Sequence, residues 1–136
     1  MTPVFVDTSA FVALVDRRDR NHAAAKRILK QIARQKRQLM TSTYVIDETL
    51  TLVRLKVGHG VAVKFGEGLA STNWCRTLDV PEDTRAAAWQ IFVRYDDQDF
   101  SFSDCTSFAL MHAMGLLDAF TFDGSDFRAA GFVPLV

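Results

Sequence analysis

Twice in this chain a short apolar run stops at an aspartate: Val4-Phe5-Val6 at Asp7, and Ala119-Phe120-Thr121-Phe122 at Asp123. Runs this short, bounded by turn formers and alternating with stretches of helical period, suit the buried strands of a parallel sheet. The spacing predicts strands at Pro3–Val6, Leu39–Thr41, Trp74–Val80 and Ala119–Phe122. An edge strand at Phe132–Leu135 follows, where Pro134 is tolerated. Between them helices are predicted over Ala10–Val15, Asn21–Gln38, Thr43–Val57, Val61–Ala70, Glu82–Tyr95 and Ser101–Met114. Thr8 or Ser9 is placed to cap the first, and Gly58 stops the third. Strand and helix in alternation make an α/β fold around a mostly parallel sheet. In such sheets ligands gather outside the carboxyl ends of the strands, so Asp7 and Asp123 are delivered to one edge.

At 136 residues the chain is read as one domain, 1–136, with 11 Phe among its core material. No apolar run approaches the roughly 18 residues of a spanning helix. The first apolar stretch lacks a preceding basic region, so no signal peptide and no membrane partner are expected, and a cytoplasmic location is. Cys75 and Cys105 without a CxxC spacing argue against a disulfide framework or a thiolate zinc site. The zero net charge conceals polarity: residues 1–76 hold 13 Lys/Arg and 6 Asp/Glu, whereas residues 77–136 hold 3 and 10. Lys26, Lys30, Arg34 and Arg37 fall at helical spacing, opposite Ala25, Ile28, Leu29, Ile32 and Ala33. That stripe is either a solvated helix face or a rail for phosphates, and an acidic peptide would suit it too.

Five acids carry the chemistry, each with a plainer reading beside it. Asp7 fits a helix cap or a strand-end site acid; a phosphatase-type pair is excluded, because position 9 is Ser. Glu48 borders a buried helical stripe containing Val45, Leu52 and Val53, while Asp47 faces water. Asp104 completes the capping-box pattern Ser101-Phe102-Ser103-Asp104. Asp123 sits beside Gly124 as a turn former would, and Asp126 is either a further ligand or the cap of a short segment, Phe127–Ala130. Taken together, converging carboxylates raise one another's pKa unless a cation offsets them, and their oxygens suit Mg²⁺ or Mn²⁺. Thr8, Ser9 and Thr121 are placed to hydrogen-bond those carboxylates or a phosphate. Phe5, Phe11, Trp89, Phe92, Phe108 and Phe120 read as core, and Asp96-Asp97-Gln98-Asp99 as a solvated loop. No GxGxxG or Walker A loop follows any predicted strand.

Val6-Asp7-Thr8-Ser9-Ala10, Thr43-Tyr44-Val45-Ile46-Asp47-Glu48-Thr49-Leu50, Ser101-Phe102-Ser103-Asp104-Cys105 and Thr121-Phe122-Asp123 stand in an order and spacing that cover nearly the whole chain. In this the sequence resembles PIN-domain ribonucleases, especially the VapC-like toxins of toxin–antitoxin pairs. The resemblance implies a three-layer α/β/α sandwich and a metal-dependent endoribonuclease. It also implies an acidic quartet of Asp7, Glu48, Asp104 and Asp123 holding Mg²⁺ or Mn²⁺, an RNA substrate, a cognate antitoxin and a homodimer. Asp126 departs from the family pattern, because Gly124 and Ser125 separate it from Asp123. Two further readings stay open: a catalytically silent PIN scaffold that binds nucleic acid or protein, and an unrelated phosphate-binding α/β domain.

Overall fold

A computed structural model describes residues 2–136. Its strands are β1 (Val4–Val6), β2 (Leu39–Ser42), β3 (Cys75–Leu78), β4 (Asp118–Phe120) and β5 (Val133–Pro134). Its helices are α1 (Thr8–Val15), α2 (His22–Arg34), α3 (Thr43–Lys56), α4 (His59–Ser71), α5 (Glu82–Arg94), α6 (Phe102–Met114) and α7 (Gly124–Ala129). The strands form one sheet of order β3-β2-β1-β4-β5, every neighbour parallel, with β1 at its centre. Val4, Phe5 and Val6 are fully buried, as the unbroken apolar run requires of a central parallel strand. The architecture is the α/β/α sandwich expected from the sequence, with a PIN-like sheet.

Boundaries move where side chains cap differently from the expected pattern. Asp7 itself takes the N-cap of α1 with extended backbone, so the helix begins at Thr8, two residues before Ala10. Ser42 caps α3, and Ser101 with Asp104 makes the reciprocal capping box of α6. The second helix stops at Arg34, short of Gln38, because Lys36 turns the chain with φ 54°. The fourth runs through Gly66 and Gly68 from His59 to Ser71, longer than expected, because packing against α3 outweighs glycine's poor propensity. The third strand is confined to Cys75–Leu78, and β4 ends at Phe120, leaving 121–123 as a turn. Asp126 does not cap a segment at Phe127: α7 starts at Gly124 with Asp123 at its N-cap position, and Asp126 lies in its first turn.

Early termination of α2 takes Arg37 out of the basic stripe. Its guanidinium pairs with Asp118 and donates to the Thr2 carbonyl oxygen (2.8 Å) and to Thr2 Oγ1 (3.0 Å). Arg37 therefore ties the chain ahead of β1 to the first residue of β4, at the amino ends of the two strands.

Phe108 organises the other side, packing against Phe100 (5.0 Å between centroids), Phe127 (5.0 Å) and Phe132 (5.7 Å). This cluster joins α6, which carries Asp104, to α7, which carries Asp126. Two expected core residues are not core. Trp89 is 53% exposed and Phe92 42%, stacked on each other at 5.8 Å. The buried residues of α5 are Thr84 and Ala88, a narrow stripe of small side chains that leaves the larger aromatics outside.

Phe108→Ala is expected to cost about 3–5 kcal/mol in urea unfolding, since it deletes the hub of the cluster. A cost below about 1 kcal/mol would show that the aromatic hub does not hold α6 and α7 together.

Candidate active site

Parallel pairing sets Val6 opposite Phe120 at the carboxyl ends of β1 and β4. The next residue on β1 is Asp7, whose backbone N–H donates to the Phe120 carbonyl oxygen at 3.0 Å. Its side chain is 3% exposed. A carboxylate so placed needs donors, and the sequence supplies them at once. Ser9 Oγ donates to Asp7 Oδ2 at 2.8 Å, Thr121 Oγ1 at 2.9 Å and the Ser9 backbone N–H at 3.4 Å. The two hydroxyls then accept from the backbone of the turn beyond β4: Phe122 N–H donates to Ser9 Oγ (2.9 Å) and Asp123 N–H to Thr121 Oγ1 (3.0 Å). One network therefore fixes Asp7 and aims the turn that carries Asp123. Of the three hydroxyls expected to do this, Thr8 does not, because its Oγ1 donates to the Val45 carbonyl oxygen at 3.5 Å instead.

The remaining acids arrive on helices that start at the same edge. The third helix leaves directly from β2 and presents Glu48 half-buried, with Asp47 exposed, as the apolar stripe demanded. Asp104 is held by its own cap: its Oδ2 accepts from the Ser101 backbone N–H at 3.0 Å while Ser101 Oγ accepts from the Asp104 N–H at 3.0 Å. Electrostatics tie the five together. Burial pushes the Asp7 carboxyl up to about 7 against the pull of the Ser9 hydrogen bond, and the Asp123 and Asp104 charges add to the rise. Asp104 is raised by burial, against its Ser101 bonds, with the Asp126 and Glu48 charges contributing. Asp123 is raised by burial and by the same two neighbours. Asp126, doubtful on spacing, is thus the acid whose charge acts first on both Asp104 and Asp123.

Glu48, Asp104 and Asp123 line a cleft of about 440 Å³ with Ser9, whose hydroxyl holds the buried Asp7. Arg20 and Lys56 also line it, and both escaped the sequence reading. Lys56 had a signal: Glu48, Leu52 and Lys56 fall four residues apart on one face of α3, and all three reach the cleft. Arg20 had none, being in the turn between α1 and α2. Among the described residues no three acids already close on a single ligating point. The donor chemistry nonetheless fits a hard divalent cation, because the acids are all-oxygen donors, mutually repelled, and paired with no basic side chain within ion-pair distance.

The pH dependence of the metal-free protein follows with a definite sign. Folded Asp7 keeps its proton to about 7, whereas the unfolded chain releases it near 3.8. Between those values only the folded state holds the proton, so stability falls as pH rises through this window. In EDTA, wild type is expected to lose up to about 4 kcal/mol relative to Asp7→Asn between pH 4 and 8, read by urea unfolding. Parallel curves for the two proteins would show that Asp7 is not buried with a raised pKa.

The PIN domain family profile matches residues 4–133. The 23S rRNA-specific endonuclease VapC20 of Mycobacterium tuberculosis is 42% identical over 132 residues, covering 97% of each chain. The crystal structure of Mycobacterium tuberculosis VapC20, a sarcin–ricin loop cleaving toxin, superposes with a TM-score of 0.85 at 40% identity, covering 96% of each chain. The fold extends to VapBC2 from Rickettsia felis bound to a promoter DNA fragment, with a TM-score of 0.74 at 11% identity, covering 99% of this chain and 98% of that one. A strand-end acid network, a matching sheet and a family match along almost the whole length agree: the chain belongs to the PIN domain family.

Proposed function

We propose that this chain is a metal-dependent endoribonuclease, the toxin of a toxin–antitoxin pair, that hydrolyses a phosphodiester bond in RNA. The observation that carries the reading is the buried Asp7, locked by Ser9 and Thr121 at the sheet edge where Asp104, Asp123, Glu48 and Asp126 gather. Asp7, Asp104 and Asp123 would hold Mg²⁺ or Mn²⁺, with Glu48 and Asp126 completing the acidic surround. A divalent ion bound there neutralises charge on the phosphate and acidifies the attacking water. The protein's own part is positional. Ser9 and Thr121 both bind Oδ2 of Asp7 and so fix the direction of its other oxygen, Oδ1. The capping box does the same for Asp104. Glu48 lines the same cleft from α3 and is the base that takes the water's proton as the P–O bond to the leaving oxygen breaks.

Identity to a 23S rRNA-specific endonuclease supports ribosomal RNA as the substrate class, with a sarcin–ricin loop hairpin as the substrate to try first. An antitoxin protein as inhibitor, a homodimeric state and a cytoplasmic location belong to the same reading. Among the described residues no helix is long and apolar enough to cross a membrane.

Purified protein is expected to cut the hairpin only with Mg²⁺ or Mn²⁺ present. Asp7→Asn and Asp104→Asn should each lower the rate by more than about 100-fold, and Thr121→Val by about 10–100-fold through misplacement of Asp7. Cleavage in EDTA, or near-normal rates in both Asn variants with folding intact, would sink the site assignment. A folded wild type that cuts no RNA with either metal would favour the silent scaffold.

A further inference from the structure

The chain carries 16 Lys and Arg, yet among the described residues Arg37 alone makes an ion pair. The unpaired cations nearest the acids are not spread evenly. Arg20 and Lys56 stand in the acid cleft itself. Beside it lies a second groove of about 420 Å³, between α2 and the turn after β4, with Arg27 on one wall and Arg128 on the other. Phe122 lines both cavities, so the groove adjoins the cleft next to Asp123.

Arg128 is exposed and stands at the rim of this groove. Its guanidinium folds back along α7 over Gly124, where an added Cβ would meet Nη1 at 3.0 Å, a contact the flexible arginine side chain can relieve. Asp126 is in the same short helix, yet no carboxylate comes within ion-pair distance of Arg128. Two guanidinium forks thus line the groove, and among the described residues neither has a carboxylate within ion-pair distance. Guanidinium pairs bidentately with phosphate, and a polyanion entering a cleft lined by Glu48, Asp104 and Asp123 needs cations close to the point of cleavage. Lys26, foremost in the sequence stripe, instead borders a groove with Phe65 and Trp74.

We propose that the Arg27–Arg128 groove is a phosphate subsite that grips the RNA backbone beside the bond to be cut. This rests on the ribonuclease reading. Contacts of that kind position the strand and carry no base information, so the subsite sets affinity and register for RNA of any sequence.

The test uses the full chain with catalysis removed by Asp104→Asn and a fluorescein-labelled sarcin–ricin hairpin as probe, with binding read by anisotropy across a salt series. Adding Arg27→Gln or Arg128→Gln should weaken binding about tenfold and flatten the slope of log affinity against log salt by about 0.7–0.9. Arg128→Lys should restore the slope, since it restores the charge. Arg76→Gln, on β3 at the far edge of the sheet, should change neither quantity. In the catalytically intact chain, both Gln variants should raise KM and leave kcat within about twofold. Unaltered affinity and slope in both Gln variants, while wild type still cuts the hairpin, would overturn the subsite and spare the ribonuclease. A wild type that neither binds nor cuts RNA would overturn both.

Discussion

Everything at the carboxyl edge of the sheet depends on one awkward burial: an aspartate placed where water cannot reach it. Asp7 follows the central strand directly, its backbone N–H is held by the Phe120 carbonyl oxygen, and its side chain is buried where it leaves the sheet. Its desolvation is met locally by Ser9 and Thr121, and each of those hydroxyls passes a constraint on to the backbone of residues 122 and 123. The conformation of the β4–α7 turn is therefore a consequence of keeping Asp7 satisfied. Remove the carboxylate and the turn loses what aims it.

The fold's ends divide the labour between charge signs. At the amino edge, Arg37 pairs with Asp118 and ties the entry of β1 to that of β4, an ion pair with its guanidinium well shielded. At the carboxyl edge, acids outnumber any cation they could pair with, and burial and mutual repulsion raise three of them. The first kind of arrangement holds a structure together. The second costs stability as long as no cation is bound, which is the usual mark of a site kept for chemistry. Under the proposed function the same imbalance would link folding to the ion: a cation that bound only the folded acids would stabilise the protein by mass action, most strongly at the pH where Asp7 has lost its proton.

Much of this was legible in the residues, for reasons that differ from element to element. The end of β1 was easy, because Val4-Phe5-Val6 is wholly apolar and stops at Asp7, which sits directly after the strand; Asp123 reached the same edge, but three residues beyond the end of β4. Glu48 was legible because helical period put it beside Val45, Leu52 and Val53. Asp104 was legible through its cap. The turn after β4 was not, since whether Asp123 or Asp126 begins α7 depends on hydrogen bonds from Ser9 and Thr121, the first of them more than a hundred residues away. Nor was the exposure of Trp89 and Phe92, because hydrophobicity alone cannot say that a helix buries its small side chains and leaves its large ones outside. The resemblance to PIN-domain ribonucleases named the same acids, and the family match supports the fold behind that choice.

The basic stripe shows most clearly why spacing is not enough. Lys26, Lys30, Arg34 and Arg37 share a helical period, yet the turn at Lys36 removes Arg37, and Lys26 borders a groove away from the acids. The cation that reaches the turn beside Asp123 is Arg27, one residue off the stripe, because α2 packs on the sheet through Ala25, Ile28 and Ile32 and its Arg27 edge faces α7. Its companion Arg128 comes from a hundred residues later in the most acidic part of the chain, where no charge pattern marks it. What joins them is tertiary: a helix angle set by the core, and a short helix α7 that brings the Arg128 side chain over Gly124 to the wall facing Arg27.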